Sequence, residues 1–168
     1  MKITLDTNIL PADDLVDACR VRGWDIAVTS VSRREIEGTS YIVQLMSLGE
    51  IMEVAVHGEI RYGEGLYGSD RSGEQLELIL KIVSDSSFPK DRRILSAGHR
   101  RQFRDALIFE AHTRNRRDIF VSNDHRAFIT RGRRNALQQM FGTQIMTKTE
   151  FLEFCTANPP TRPNGAAG

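Results

Sequence analysis

The stretch Asp25-Ile-Ala-Val-Thr29 decides the fold, because its apolar residues run together instead of alternating with polar ones. A strand with one wet face alternates. A strand covered on both faces is a short apolar run, the mark of a parallel sheet between helices. Upstream, Ile3-Thr-Leu5 reads as a first strand. Asp13 to Arg22 reads as an amphipathic helix with Leu15, Val16 and Cys19 inward and Gly23 as its stop. Downstream, Ser32-Arg-Arg-Glu35 matches a capping box and predicts a short helix ending near Gly38, then a helix around Tyr41 to Leu48 and strand character from Glu50 to Val56. Residues His57 to Gly73 hold five glycines and little periodicity, which predicts a long loop, a candidate lid.

The second half repeats the alternation. Glu74 to Ser84 is helical, with Leu76, Ile79, Leu80 and Val83 on one stripe, and Arg100 to Arg114 is helical around Phe103, Leu107, Ile108 and Ala111. Asp118 to Ser122 is a strand, His125 to Phe141 a helical region interrupted at Gly132, and Gln144-Ile-Met146 a last strand. Thr147-Lys-Thr-Glu150 is a second capping box, opening a helix to about Cys155. The three prolines and two glycines of residues 158–168 predict a disordered tail, leaving residues 1–157 as one domain. Strand alternating with helix predicts an α/β fold with a central parallel sheet flanked by helices.

Composition narrows the function. Hydrophobic residues make up 40% and charged residues 27% of the 168, which is ordinary for a soluble domain. No apolar run approaches a membrane span and the N-terminus lacks a signal-peptide layout, so the chain is expected in the cytoplasm. Cys19 and Cys155 are too few and too far apart for a disulfide framework or a zinc cluster. The net charge of +1 conceals an asymmetry: residues 1–89 carry 8 Lys/Arg against 15 Asp/Glu, and residues 90–134 carry 13 against 5. A basic block beside acidic ligands suits a phosphodiester substrate; the bland alternative is a solvated helical face.

Four carboxylates stand where a site would be built. Asp6 closes the first strand, Glu35 lies just after the second, Asp105 sits near the start of the helix that feeds the strand ending at Ser122, and Asp124 follows that strand. In an open parallel sheet, ligands bind beyond the carboxyl ends of the strands, and all four placements fall on that rim. Buried carboxylates gathered in one cleft require a cation, and Mg²⁺ or Mn²⁺ takes such oxygen ligands. Singly, each has a structural explanation: Asp6 and Asp124 as turn or cap residues, Glu35 in its capping box, Asp105 as a first-turn acid. Asn8 and Ser122 can hydrogen-bond the neighbouring carboxylates, and His99 reads as a surface histidine or an RNA contact.

With these residues in view, the set Leu5-Asp6-Thr7-Asn8, Ser32 to Glu35-Ile36, Asp105-Ala-Leu-Ile108 and Ser122-Asn-Asp124 resembles the PIN-domain ribonucleases, a group that includes the VapC-type toxins of toxin–antitoxin pairs. The resemblance spans about residues 1–155 and implies a three-layer PIN-like fold. It implies endonucleolytic RNA cleavage with Mg²⁺ or Mn²⁺, held by Asp6, Glu35, Asp105 and Asp124 as catalytic and metal-binding residues. Asn8 and Ser122 match the supporting positions. RNA is the implied partner, and an antitoxin protein and a homodimer are admitted by it. The chain departs from compact toxins in its 70-residue gap between Glu35 and Asp105, and Glu37 is an alternative second acid. Arg93, Arg100, Arg101, Arg104 and Arg126, with Lys90, Arg92, Arg131, Arg133 and Arg134 around them, are the expected phosphate contacts. Two other readings stay open: a catalytically silent PIN-like binding module, and a phosphohydrolase of the haloacid-dehalogenase type. The latter's chemistry wants a second acid where Asn8 stands.

Overall fold

The computed structural model describes residues 1–53 and 70–160. Five short strands form one sheet: β1 (Lys2–Leu5), β2 (Asp25–Thr29), β3 (Gly49–Ile51), β4 (Ile119–Val121) and β5 (Gln144–Met146). Their order is β3-β2-β1-β4-β5 and every neighbouring pair is parallel, as the unbroken apolar run of β2 requires. The chain therefore builds outward from β1 to β3, then returns to the other side of β1 with β4. The order reverses between β1 and β4, and that is where open parallel sheets leave a crevice.

Helices cover both faces. On one face Ile3, Leu5, Val28, Ile119 and Val121 pack with α1 (Asp13–Arg20) and α7 (Lys148–Ala157), through Leu15, Cys19, Phe151 and Cys155. On the other, Phe120 and Ile145 pack with α4 (Asp70–Val83), α5 (Ala97–Arg114) and α6 (Arg131–Phe141), through Ile79, Leu80, Phe103, Phe109 and Leu137. The alternation of Ile119, Phe120 and Val121 between the two clusters is the pleat of β4 read out in packing. Two short helices, α2 (Ser30–Glu35) and α3 (Ile42–Met46), complete the β2 to β3 crossover. The result is an α/β fold of three layers. No helix among the described residues is long and apolar enough to cross a membrane.

Several expected boundaries move, each for a local reason. The helix expected from Glu74 starts at Asp70, so residues 70–73 belong to α4 rather than to a loop; Gly73 is exposed there, and no side chain is needed at its position. The remainder of that expected loop, 57–69, lies outside the described residues, as do residues 54–56 of the expected third strand and residues 161–168 of the expected tail. The capping box at Ser32 does not form. Thr29, the last residue of β2, caps α2 by accepting from the Ser32 backbone N–H, and Ser32 is buried inside the helix. Glu35 consequently ends α2 instead of opening it. The break in the last helical region falls at Thr130, not at Gly132, after a π-helical turn over His125–Ile129. The capping box at Thr147 and Glu150 forms as read, with Arg134 donating both guanidinium nitrogens to Glu150.

Two polar groups lock the helical layer and the strand starts in place. His112 on α5 is fully buried, its Nδ1 2.9 Å from Thr4 Oγ1 and its Nε2 2.6 Å from Thr143 Oγ1. Because Thr143 Oγ1 donates to the Asp118 carbonyl, Nε2–H donates to Thr143 and Nδ1 accepts from Thr4. At the amino edge of the sheet, buried Arg117 donates to the Ile3 and Asp25 carbonyls and pairs with the Asp25 carboxylate. Burial lowers the His112 pKa from 6.5 to about 3, the Arg117 charge adding to it. Between those values the unfolded chain takes a proton that the folded one refuses, so His112 costs stability as pH falls through this window. The stability advantage of wild type over His112→Gln should shrink by about 1.4 kcal/mol for each pH unit between pH 6 and pH 4. Urea unfolding of the two proteins across that range measures it; an advantage independent of pH would mean that the imidazole is not buried neutral.

Candidate active site

At the carboxyl edge of the sheet, the ends of β1 and β4 lie side by side. The backbone N–H of Asp6 donates to the Val121 carbonyl, carrying the strand pairing one step beyond β1. Asp6 then caps the 3₁₀ turn Thr7–Ile9, its Oδ1 accepting from the Thr7 backbone N–H at 2.8 Å. Its Oδ2 accepts from Ser122 Oγ and from Asn8 Nδ2, both at 2.7 Å. Asn8 Nδ2 also reaches Ser122 Oγ, and Asn8 Oδ1 accepts from the Asn123 backbone N–H at 2.7 Å. Asn8 and Ser122 thus hold Asp6 as the sequence predicts, bridging the two strand ends.

Asp124 repeats the device. Its Oδ1 caps the π-helical turn by accepting from the backbone N–H groups of Arg126 and Ala127, each at 2.8 Å. Its Oδ2 receives Arg101 at 3.2 Å. Both aspartates are therefore cap residues and site residues at once: one oxygen accepts from the backbone, while the other takes side-chain donors, Ser122 and Asn8 at Asp6 and Arg101 at Asp124. Glu35 is exposed at the end of α2, and its Oε2 accepts from Thr7 Oγ1 at 3.0 Å. Thr7 is a supporting residue that the sequence reading missed. Its position beside Asp6 was the only local signal, and only the contact of α2 with the 3₁₀ turn makes it meaningful.

Asp105 is deeper than expected. Ser96 caps α5 by accepting from the His99 backbone N–H, so the helix starts at Ala97 and Asp105 lies more than two turns in, beyond first-turn dipole effects. Among the described residues no hydrogen-bond donor reaches its carboxylate. Burial first, then the charges of Asp6 and Asp124, push its pKa up to about 8; Arg101 opposes this and Glu35 adds to it. Asp6 is pushed up to about 6, again mainly by burial, against the Ser122 hydrogen bond and with the Glu35 charge contributing. The charges of Glu35 and Asp124 thus bear on both Asp6 and Asp105.

The predicted cations divide. Arg100, Arg101 and Arg104 are exposed on the first turns of α5 and Arg126 is exposed in the turn after Asp124. The Arg93 and Arg131 side chains lie outside the described residues. Three expected phosphate contacts are engaged elsewhere: Arg92 with Glu77 and the Phe103 ring face, Arg133 with Asp85, and Arg134 with Glu150. His99 is half-buried rather than a surface histidine, edge-on to Phe88 with ring centroids 5.8 Å apart. Compared with models of protein families the chain matches none, and no curated protein matches it.

As the side chains stand, no group of three or more His, Cys, Asp or Glu among the described residues is arranged to hold a metal ion. The hydrogen bonds explain this: Asp6, Asp124 and Glu35 each have an oxygen turned to a protein donor. The donor set nevertheless fits a hard divalent cation, since it is all carboxylate oxygen and includes a largely desolvated Asp105 to which no donor among the described residues hydrogen-bonds.

A carboxyl whose folded pKa is raised holds its proton longer when folded, so its contribution to stability is lost as pH rises above the unfolded value. For Asp105 that window runs from 3.8 to about 8. In chelator, Asp105→Asn should match wild type near pH 4 and exceed it increasingly up to pH 8, reaching on the order of 3 kcal/mol. Urea denaturation at four pH values tests this; a variant less stable than wild type at pH 8 would show that Asp105 is not held at a desolvation cost.

Proposed function

We propose that the chain is a metal-dependent endoribonuclease of PIN-like type, cleaving phosphodiester bonds of RNA. The observation that carries this reading is the meeting of the β1 and β4 ends, which brings Asp6 and Asp124 to one crevice with Glu35 held on Thr7, around a buried Asp105 on which the charges of the other three bear. A cluster that cannot fully ionise unaided is one that a cation completes. Asp6, Asp105 and Asp124 would hold Mg²⁺ or Mn²⁺, with Glu35 as ligand to a second ion or orienting a water. A divalent ion so bound activates water and offsets charge on the phosphate under attack.

The chain's own residues supply the rest. To hold the ion Asp105 would have to give up its proton to solvent, which would link affinity to pH. Asn8 and Ser122 fix the rotamer of Asp6, and Thr7 fixes Glu35 at the rim. Arg101 stands on Asp124 and is 72% exposed, so it is free to turn toward a phosphate when an ion takes that carboxylate. A haloacid-dehalogenase-type mechanism is less well supported, because Asp6 would be its nucleophile and both of its oxygens accept hydrogen bonds. One observation favours a silent binding module: Arg101 already neutralises Asp124.

With Mn²⁺ present, wild type should cut single-stranded RNA and chelator should stop it. Asp105→Asn should lower the rate at least about 100-fold while its melting temperature does not fall. RNA binding by wild type without cutting of any substrate would favour the silent module instead.

Affinity should depend on phosphate contacts. Replacing Arg104 and Arg126 by Gln should reduce the slope of log affinity against log salt by about 1.4, two single-strand contacts' worth. Anisotropy titrations from low to moderate salt measure this, and an unchanged slope would leave both side chains as solvated surface.

A further inference from the structure

The stripe of α5 that carries Asp105 continues into a cavity that the acid cluster does not fill. Residues 98, 101, 102 and 105 recur at helical spacing on that side of α5, and all four line it. The opposite walls come from the end of α4 and from the turn after β4, enclosing about 210 Å³. That is smaller than the roughly 300–1,000 Å³ of pockets for whole small molecules, and it suits a single ring system.

Its lining has two characters. Val83 and Ala127 are buried and apolar. Gln102 Oε1 and His99 Nδ1, by contrast, are buried polar atoms with no hydrogen-bond partner among the described residues. Native structures seldom leave such atoms unpaired, because nothing replaces the water they lost. Both residues line one cavity next to the proposed reaction centre, where a small turn of either side chain would offer that atom to a ligand with matching groups. That ligand is not a bare anion: Asp105 and Asp124 also line the cavity and would repel it, while Arg101 and Arg133 already pair with Asp124 and Asp85.

We propose that this cavity is a subsite for one unpaired nucleobase of the RNA strand, read by Gln102 and His99, with an adjoining phosphate at the four carboxylates. The proposal rests on the nuclease reading. A base is flat and apolar on its faces and carries donors and acceptors on its rim, and RNA is read by sequence through such splayed-out bases. Val83 and Ala127 meet the apolar faces. The Gln102 carboxamide offers a donor and an acceptor in one plane, and the imidazole of His99 offers either, depending on tautomer. Arg126, exposed at the same cavity, lies where the strand's backbone would pass. Gln102 and His99 are specificity residues in this scheme and take no part in the chemistry.

The test measures binding in chelator, so that nothing is cut, using short single-stranded oligoribonucleotides that differ at one base. Wild type should separate the best from the worst base by about tenfold, the effect of one or two neutral hydrogen bonds. Gln102→Met and His99→Phe each keep a side chain of similar size and remove its two polar atoms. Each should compress the range to about twofold while melting close to wild type. Equal affinity of wild type for all four bases, or an unchanged range in both folded variants, overturns the subsite. Base discrimination that the variants lose, in a protein that never cuts RNA with Mn²⁺, supports the subsite and overturns the nuclease. Metal-dependent cutting with no base preference beside the cut overturns the subsite and leaves the nuclease standing.

Discussion

The parallel pairing of β1 with β4 is the contact on which the rest of this molecule depends. It joins two segments more than a hundred residues apart, with Ile3, Thr4 and Leu5 opposite Ile119, Phe120 and Val121. Both strands are buried and carry branched or aromatic side chains, so the pair sits at the centre of the sheet with helices on either face. Because it is also where strand order reverses, the connections leaving β1 and β4 diverge and leave a crevice between them. Four groups of the candidate site are placed by that divergence. Asp6 and Asn8 come from one strand end and Ser122 and Asp124 from the other, and the hydrogen bonds among Asp6, Asn8 and Ser122 close the gap.

The two edges of the sheet treat charge in opposite ways. At the amino edge, Arg117 compensates Asp25 and two strand carbonyls, and burial there is paired with an opposite charge. At the carboxyl edge, acids are gathered, Arg101 opposes the rise in the Asp105 pKa, and that arginine is mostly exposed. The first arrangement stabilises a fold. The second costs stability, and proteins keep such arrangements at sites where a ligand supplies the missing charge. The same economy governs Asp6 and Asp124: each caps a turn with one oxygen and leaves the other to side-chain donors.

Helix α5 sets the depth of the site. Ser96 fixes where it begins, and His112 fixes its rotation by bonding Thr4 under β1 and Thr143 before β5. Asp105 lies seven residues, two turns, before His112 and so on nearly the same side. The buried imidazole thereby holds Asp105 against the crevice, and the same rotation turns Gln102 and His99 toward the cavity beside it. A change that let α5 slip or rotate would move the acid and the cavity lining together.

The amino-acid sequence by itself determined the element order, the parallel character of the sheet and the four acids with Asn8 and Ser122, because each is written in a short window. An apolar run means a doubly covered strand, and an Asp just past a strand means a cap at the sheet edge. Its errors came where local signals compete. Thr29 and Ser32 are both hydroxyl residues able to cap, and β2 ending at Thr29 decided between them; Gly73 and Gly132 read as breaks, yet each is exposed inside a helix where no side chain is needed. Only the tertiary structure decided that β4 lies beside β1, that Thr7 meets Glu35, that Arg101 meets Asp124, and that His99 and Gln102 share a cavity with Asp105. Those facts depend on the rotation of packed helices and on contacts between distant segments, and no local pattern of residues encodes either.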